Sequence, residues 1–133
     1  MRVALNNSYF GLRHGQSLAN LARLIISDPA VGCQQYGLSE LGREQAASGA
    51  NGLGPDTLFL SSDFLRARQT ALLAARTAGA NEPQLDTGLR ERFFGELDGG
   101  PAEAYELVWQ RDSLGDHAWR GVESPVGLTE RLA

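Results

Sequence analysis

Short apolar runs alternate with longer amphipathic stretches along this chain. Apolar side chains gather at 8–12 and 57–61, and a weaker apolar segment follows at 84–86. Runs of this length are typical of β-strands, and the nearly continuous apolar character of 57–61 predicts a strand buried in a parallel sheet. Helical patterns separate the three segments. Strands that alternate with helices predict an α/β fold with a mainly parallel sheet.

Residues that cap helices mark where the helices begin. Ser17 and Ser39 are predicted N-caps, and the helix after Ser39 is expected to end by Gly49. An alanine-rich helix is expected to begin at 62–63 and to reach about Ala78. On the helix after Ser17, one predicted apolar face carries Leu18, Leu21, Leu24 and Ile25.

Two prolines predict the start of further helices. Pro101 is expected at the first helical position, and Ser124 followed by Pro125 indicates another helix start. The helix after Pro101 has an apolar face, which we expect to lie in the core rather than against a substrate. That face carries Tyr105, Val108 and Trp109.

Composition places the chain among small globular domains. Its 133 residues and 14.3 kDa predict one domain, 1–133, with 42% apolar and 21% charged residues. The net charge of −4 gives no electrostatic reason to expect binding to nucleic acid or to an anionic membrane. Neither a signal-peptide core nor an apolar run of about 18 residues occurs, which predicts a cytoplasmic protein.

The residue types present exclude several chemistries. All 12 basic residues are arginine, so Schiff-base chemistry and a Walker-type phosphate lysine are excluded. One cysteine and two histidines cannot form a Cys/His zinc site. We therefore expect no metal site.

The segment 13–20, RHGQSLAN, is the most informative part of the chain. It places His14 at the carboxyl end of the first predicted strand, beside Arg13 and ahead of a helix N-terminus. Ligands bind at this position in α/β folds, and both arginine and helix N-termini favour phosphate. Taken alone, the segment is equally compatible with an ordinary polar turn.

Two later segments repeat the arrangement. The stretch 61–71, SSDFLRARQTA, places Arg66 in the first turn of a predicted helix after the second strand. The stretch 89–95, LRERFFG, follows the third strand. Loops that follow parallel strands meet at one edge of the sheet, so the three segments are expected to line one pocket.

In this order, the motifs resemble those of the histidine phosphatase superfamily, in its phosphoglycerate-mutase-like branch. The family patterns are RHGxSxxN, SxxxRAxQTA, LRExxxGxxxG and an ES pair before a helix. The chain carries RHGQSLAN, SSDFLRARQTA, LRERFFGELDG and GVESPVGLTER, and its YGLSELGREQA (36–46) is also similar to a family segment. The resemblance covers nearly the whole chain and implies a three-layer α/β/α fold.

The resemblance also implies roles for five residues. His14 would be the nucleophile that becomes phosphorylated on a ring nitrogen. Arg13 and Arg66 would hold the phosphoryl oxygens, and Asn20 would add a hydrogen bond. Glu91 would donate a proton to the leaving group and then act as base toward water. No cofactor and no metal is implied.

Other polar residues in the same motifs have less specific interpretations. Arg68 is expected on a different helix face, in solvent. Arg90 is interpreted as part of a surface ion pair, while for Arg92 an ion pair and a substrate contact are both open. His117 is interpreted as a loop or capping residue.

The chain departs from the family pattern in one respect. The family has a second catalytic histidine in an S-H-G motif on a later strand, and these 133 residues contain no such motif. We interpret the chain as a fragment, a truncated product or a protein completed by another strand. Oxyanion binding is expected to persist, with turnover lowered by about 10²–10³. An exposed sheet edge would allow self-association.

The predicted function is a metal-independent phosphatase that hydrolyses a phosphomonoester through a phosphohistidine. One alternative is a phosphoglycerate-mutase-type phosphotransferase, although mutases carry a tyrosine where this chain has Phe94. The other is a catalytically impaired, phosphate-binding pseudo-phosphatase. The expected partner is a small phosphorylated substrate, without nucleic acid or membrane, and Phe93 and Phe94 are expected to form an apolar wall.

Overall fold

A computed structural model describes residues 6–117 and 119–133. In chain order its elements are α1 (Leu18–Ala22), α2 (Pro29–Gly32), α3 (Glu40–Gly49), β1 (Leu60–Ser61), α4 (Leu65–Ala78), β2 (Gln84–Leu85), α5 (Ala104–Ser113) and α6 (Pro125–Leu132). Short 3-10 turns occupy Thr87–Leu89, Gly95–Leu97 and Trp119–Gly121. Within the described ranges, no helix is long and apolar enough to span a bilayer.

The two strands form a parallel pair. Leu60 lies opposite Gln84 and Ser61 opposite Leu85. Because the strands are parallel, the segments that follow them leave the sheet at the same edge. One of these segments leads into α4 and the other leads to Glu91. The predicted strand at 84–86 is thereby confirmed.

Helices α3 and α4 pack on each other and cover one side of β1. Small residues allow this close packing, since Ala74 and Ala75 of α4 are almost fully buried. They form a cluster with Ala50, Phe59 and Ala78. The packing fixes α4, and with it the residues in its first turn, relative to the end of α3.

A second cluster holds the segment after α1 against α5. Its buried members are Ile25, Phe94, Leu97, Ala104, Val108 and Val122. The backbone reinforces the packing, because the Ile25 N–H donates to the Gly100 carbonyl at 2.9 Å. An isolated antiparallel bridge also joins Leu24 to Pro101.

The predicted strand at 8–12 is wrong for the described part of the chain. Neither β1 nor β2 lies beside this segment, and a strand requires a neighbour for its backbone hydrogen bonds. Tyr9, Phe10 and Leu12 are all exposed.

The prediction that the strand at 57–61 is buried on both faces is also wrong. The regular strand is limited to Leu60–Ser61, and burial alternates along the segment. Phe59 is buried against α4, whereas Leu58 and Leu60 are 67% and 54% exposed. One face of β1 is therefore covered by the helices and the other is open within the described residues.

Most predicted helix ends are confirmed. Ser17 and Ser39 both cap, and the helix after Ser39 ends at Gly49. Ser124 caps the last helix by accepting the N–H of Gly127 at 3.0 Å. Helix α4 begins at Leu65, slightly later than expected.

Two predicted helix faces need correction. Helix α1 stops at Ala22 because the next residue, Arg23, adopts a left-handed conformation, so Ile25 lies beyond the helix. Leu18 and Leu21 are exposed rather than buried. Further along, Pro101 pairs with Leu24 ahead of α5 and is not at its first position, which is Ala104.

Two glycines allow the turn at His14 to approach α3 closely. A Cβ on Gly15 would lie 2.2 Å from the Gly42 carbonyl oxygen. A Cβ on Gly42 would lie 2.0 Å from the Gln16 carbonyl oxygen. Backbone therefore meets backbone here without an intervening side chain.

Candidate active site

The five residues with predicted roles lie together. They all line one cavity of about 390 Å³, and they are Arg13, His14, Asn20, Arg66 and Glu91. Its remaining lining consists of Ala19, Leu24, Ile26, Phe94, Tyr105 and Trp109. Three separate segments of the chain thus contribute to one site, as the positions of their motifs predicted.

The ring of His14 is held in one tautomer. Its Nδ1 lies 2.7 Å from the carbonyl oxygen of Gly15. A carbonyl oxygen only accepts hydrogen bonds, so Nδ1 carries the proton and Nε2 keeps a free lone pair. Burial lowers the pKa of His14, and the positive charges of Arg66 and Arg13 lower it further against the opposing effect of Gly15. The imidazole is therefore neutral near pH 7 and can act as a nucleophile.

Arg66 is a buried guanidinium with fixed orientation. The residue is only 6% exposed. One terminal nitrogen donates to the Ile26 carbonyl at 2.9 Å, and the other donates to the Glu91 carboxylate. The ring of Phe64 lies 5.1 Å from the guanidinium carbon. A planar cation held in this way suits the equatorial oxygens of a phosphoryl group.

Glu91 has the electrostatic environment of a proton donor. Burial raises the pKa of its carboxyl group, although the charges of Arg66 and Arg13 act in the opposite direction. Its side chain is still 35% exposed, so a substrate can reach it. A carboxyl group with a raised pKa retains its proton at higher pH than an ordinary glutamic acid.

Asn20 divides its side chain between two tasks. Its Oδ1 accepts the Ser17 N–H at 2.9 Å, and its own backbone N–H donates to the Ser17 hydroxyl oxygen at 3.2 Å, so the two residues form a capping box. Because the Ser17 N–H needs an acceptor, the capping box assigns Oδ1 and Nδ2 of the Asn20 amide. The Nδ2 group, which has no hydrogen-bond partner among residues 6–117 and 119–133, can donate into the cavity.

The turn that carries His14 is supported by α4. The Thr70 hydroxyl accepts the Gly15 N–H at 3.1 Å and donates to the Arg66 carbonyl at 2.8 Å. Thr70 is 3% exposed, so these bonds are shielded from water. One buried hydroxyl therefore links the turn of His14 to the helix of Arg66. Sequence reasoning missed this role, although Thr70 lies within the RARQTA motif.

Helix α3 supports the same turn from the other side. The Gln16 N–H donates to the Gln45 side chain at 2.8 Å, and the Ser39 N–H donates to the Gln16 carbonyl at 2.9 Å. On α4, the Gln69 side chain accepts the Leu38 N–H at 2.7 Å. The segment 36–46, which resembles a family segment, thus supplies contacts that support the turn of His14.

The remaining arginines of these motifs lie outside the cavity lining. Arg68 is exposed, as predicted. Arg90 makes a two-pronged ion pair with Asp63 at 2.8 and 2.6 Å. Arg92 makes a similar pair with Asp112 at 2.6 and 2.9 Å, which favours the ion-pair interpretation over substrate contact.

Asp112 also explains the position of His117. The Nδ1 of His117 lies 3.1 Å from Asp112 Oδ1, outside the cavity lining. The hydrogen bonds from Arg92, the largest influence, lower the pKa of Asp112 to about 2, with a smaller contribution from His117. The group is a structural ion pair rather than part of the site.

The aromatic residues are arranged differently from the prediction. Phe94 lines the cavity as expected, but Phe93 does not. Tyr105 and Trp109, predicted as core, both line the cavity, and Trp109 is 57% exposed. Helix α5 directs Val108 into the core and presents these two rings to the site.

Comparison with known proteins shows the family to which the chain belongs. The family model of the histidine phosphatase superfamily (branch 1) matches residues 10–133. The chain belongs to this superfamily.

Curated relatives include two kinds of enzyme. A 2,3-bisphosphoglycerate-dependent phosphoglycerate mutase of Chelativorans sp. (strain BNC1) is 35% identical over an aligned length of 116, and the match covers 82% of this chain and 52% of the relative. A glucosyl-3-phosphoglycerate phosphatase of Mycobacterium tuberculosis (strain ATCC 25618 / H37Rv) is 34% identical over an aligned length of 129, and the match covers 90% of this chain and 54% of the relative. The chain thus spans about half the length of these relatives.

Solved structures confirm the predicted α/β fold. A mycobacterial glucosyl-3-phosphoglycerate phosphatase in complex with VO3 matches with a TM-score of 0.68 and 32% identity, over 90% of this chain and 60% of that one. The structure named mycobacterial hydrolase 1 matches with a TM-score of 0.68 and 31% identity, over 89% and 57%.

Proposed function

We propose that this chain carries the nucleophile and phosphoryl-binding groups of a metal-independent phosphatase. The observation that carries the proposal is the placement of His14, with Nε2 free, in one cavity with the Arg66–Glu91 pair. A phosphoryl group bound by Arg13, Arg66 and the Asn20 amide would present its phosphorus to His14. Such a site supplies positioning and charge neutralisation, which phosphoryl transfer needs most.

The first step forms a phosphohistidine. His14 Nε2 attacks phosphorus, and the bond from phosphorus to the ester oxygen breaks. Glu91 gives its proton to the departing alkoxide, which leaves as an alcohol. The proton stays on His14 Nδ1, where it is hydrogen-bonded to the Gly15 carbonyl. The ring therefore becomes a phosphorylated imidazolium whose charge is spread over both nitrogens.

The second step is hydrolysis. Glu91, now a carboxylate, removes a proton from water while the water oxygen attacks phosphorus. The bond between phosphorus and His14 Nε2 breaks, which returns the neutral imidazole and the protonated Glu91. Inorganic phosphate then leaves, and the cycle needs no metal or cofactor.

A mutase is the second candidate, because curated relatives include phosphoglycerate mutases. A mutase returns the phosphoryl group from histidine to a second position on its substrate, whereas a phosphatase releases it to water. Product analysis separates the two. Release of inorganic phosphate as the dominant product supports the phosphatase. Exchange between 2- and 3-phosphoglycerate that depends on 2,3-bisphosphoglycerate supports the mutase.

The decisive experiment traps the covalent intermediate. The protein, at the full length that its gene encodes, is mixed briefly with a labelled activated phosphomonoester and quenched. We expect an acid-labile, alkali-stable label that is lost in His14→Ala. His117→Ala is the matched control, because this histidine lies outside the cavity and should retain the label. No label on His14, with intact anion binding, would instead favour the pseudo-phosphatase.

Metal dependence provides an independent test. Among residues 6–117 and 119–133, no three His, Cys, Asp or Glu side chains are grouped as metal ligands. We expect EDTA to leave the activity unchanged. Loss of activity in EDTA, restored by a divalent ion, would overturn the mechanism.

The cytoplasmic location, the single domain and self-association stay predictions from sequence. Cell fractionation tests the first, limited proteolysis the second and light scattering the third. A small phosphorylated molecule is the partner that the proposed chemistry requires.

A further inference from the structure

The lining of the cavity contains two chemically different sets of residues. The polar set carries the groups assigned to the phosphoryl group, and the apolar set consists of Leu24, Ile26, Phe94, Tyr105 and Trp109. At about 390 Å³, the cavity is larger than a phosphate ion requires and falls within the usual size range of small-molecule sites. The apolar set is therefore available to contact the group that leaves with the ester oxygen.

Three aromatic rings give the apolar part of the lining a defined shape. The rings of Tyr105 and Trp109 are nearly parallel, with centroids 5.9 Å apart and an interplanar angle of 13°. Phe94 supports Tyr105 edge-on, with centroids 4.9 Å apart at 83°. Because Phe94 is buried in the core, the platform formed by Tyr105 and Trp109 has a rigid base.

The distribution of charge limits what can bind there. Among the described residues that line the cavity, the guanidinium groups belong to Arg13 and Arg66, and both are assigned to the phosphoryl group. Burial, together with the nearby charge of Glu91, raises the pKa of Tyr105 to about 12, so its hydroxyl is neutral at physiological pH. A second anionic group on a substrate would contact the apolar residues without a counter-ion of its own, at a desolvation cost.

We propose that the preferred substrates are phosphomonoesters with an uncharged, ring-bearing leaving group that stacks on Tyr105 and Trp109. This inference rests on the proposed phosphatase function and defines its substrate class. Aromatic rings and the apolar faces of saturated rings can both occupy such a platform. Acyclic and carboxylated leaving groups lack that contact or carry an unpaired charge.

The test compares esters of similar chemical reactivity. Benzyl, cyclohexylmethyl and n-butyl phosphate all release a primary alcohol, so differences in kcat/KM report recognition of the leaving group. We expect roughly tenfold higher kcat/KM for benzyl than for n-butyl phosphate, the size expected of an aromatic stacking contact. The cyclohexylmethyl ester distinguishes an aromatic ring from a saturated one. 3-Phosphoglycerate, with its carboxylate, is expected to be the poorest of the four.

Variants on α5 localise the effect. Trp109→Ala is expected to reduce the benzyl-to-butyl ratio of kcat/KM to near one, while Trp109→Phe retains most of the preference. Leu107→Ala is the matched control, because Leu107 is exposed on the same helix and lies outside the cavity lining. Circular dichroism and thermal melts confirm that each variant is folded.

The outcomes separate this inference from the proposed function. If no ester is hydrolysed and His14 takes up no label, the proposed function fails. If all four esters are hydrolysed but the ratio is near one in the unmodified protein, or Trp109→Ala leaves it unchanged, the platform is refuted and the phosphatase stands. A clear preference for 3-phosphoglycerate also refutes the platform.

Discussion

Glu91 is hydrogen-bonded to the buried guanidinium of Arg66. The proposed proton donor is therefore in direct contact with a residue that is proposed to bind the phosphoryl group. A phosphoryl group that binds Arg66 competes with the Glu91 carboxylate for the same N–H groups. Its negative charge also repels the carboxylate. Substrate binding therefore favours the protonated form of Glu91, which is the form that the first step requires.

We predict a bell-shaped pH dependence from this pair of groups. His14 must be neutral, and burial lowers its pKa, so activity rises as the pH increases through the lowered His14 pKa. Glu91 must be protonated, and burial raises its pKa, so activity falls as the pH increases through the raised Glu91 pKa. Because bound substrate raises the Glu91 pKa further, the alkaline limb of kcat should lie at higher pH than that of kcat/KM.

Glu91→Gln provides the check on that assignment. The alkaline limb should disappear, and kcat for an alkyl phosphate should fall by about 10²–10⁴. The loss should be smaller for p-nitrophenyl phosphate, whose leaving group needs no proton. An alkaline limb that persists in Glu91→Gln would assign that ionisation to another group.

Removal of the Thr70 hydroxyl should lower activity through the position of His14. Thr70→Val keeps the shape of the side chain but leaves the buried Gly15 N–H without a partner, a cost of about 1–3 kcal/mol. We expect kcat to fall by about 10–10² as the turn shifts, and the thermal midpoint to drop.

Thr77→Val is the control for that prediction. Thr77 lies on the exposed side of α4, and its hydroxyl donates to the Leu73 carbonyl at 3.0 Å, as Thr70 donates to Arg66. The two variants differ in the bond to Gly15. Equal losses in both would show that the effect is one of helix stability and not of the turn.

Asn20→Asp should separate helix capping from phosphoryl binding. The aspartate oxygen can still accept the Ser17 N–H, and an acidic residue in the first turn favours the helix, so the thermal midpoint should be unchanged or slightly higher. The donor facing the cavity becomes a negative oxygen, and kcat/KM should fall by about 10²–10³. Asn51→Asp makes the same charge change at an exposed turn and should have no effect on kinetics. A large loss of stability in Asn20→Asp would contradict the division of tasks.

Arg66→Lys should be strongly impaired although it conserves charge. A lysine cannot donate to the Ile26 carbonyl and to Glu91 in one plane and still present a fork to the phosphoryl group. We expect kcat/KM to fall by about 10²–10³, measured with p-nitrophenyl phosphate. Arg68→Lys, on the exposed face of the same helix, should retain full activity. If both variants retain it, Arg66 does not bind the phosphoryl group.

The placement of Arg66 and Glu91 was predictable because the parallel pair of strands determines it. Arg66, in the first turn of α4, and Glu91, after β2, both follow strands that end at the same edge of the sheet. His14 follows no strand in the described residues, and Thr70 and α3 hold its turn instead. The orientation of α5 was not predictable in the same way. Tyr105, Val108 and Trp109 form one apolar stripe, and only the position of Ile25 and Val122 determines that Val108 faces the core while Trp109 borders the cavity.

The hydrogen bonds that backbone groups make to the site could not be predicted from the sequence, for a different reason. The Ile26 carbonyl orients Arg66, but any residue type at that position has a carbonyl. The predicted strand at 8–12 failed because pairing depends on a neighbour and not on the apolar pattern of the strand itself.

The close approach of Gly15 and Gly42 has a consequence for how the protein can vary. A Cβ on Gly15 would meet the Gly42 carbonyl, and a Cβ on Gly42 would meet the Gln16 carbonyl. Both obstacles are backbone atoms, which every residue type has, so a second substitution cannot relieve either clash. In a saturation library selected for activity, both codons should therefore return glycine alone, while neighbouring Arg43 tolerates many replacements. Neither glycine has a reactive group. Their intolerance of substitution would therefore show that activity requires the turn of His14 to lie against α3.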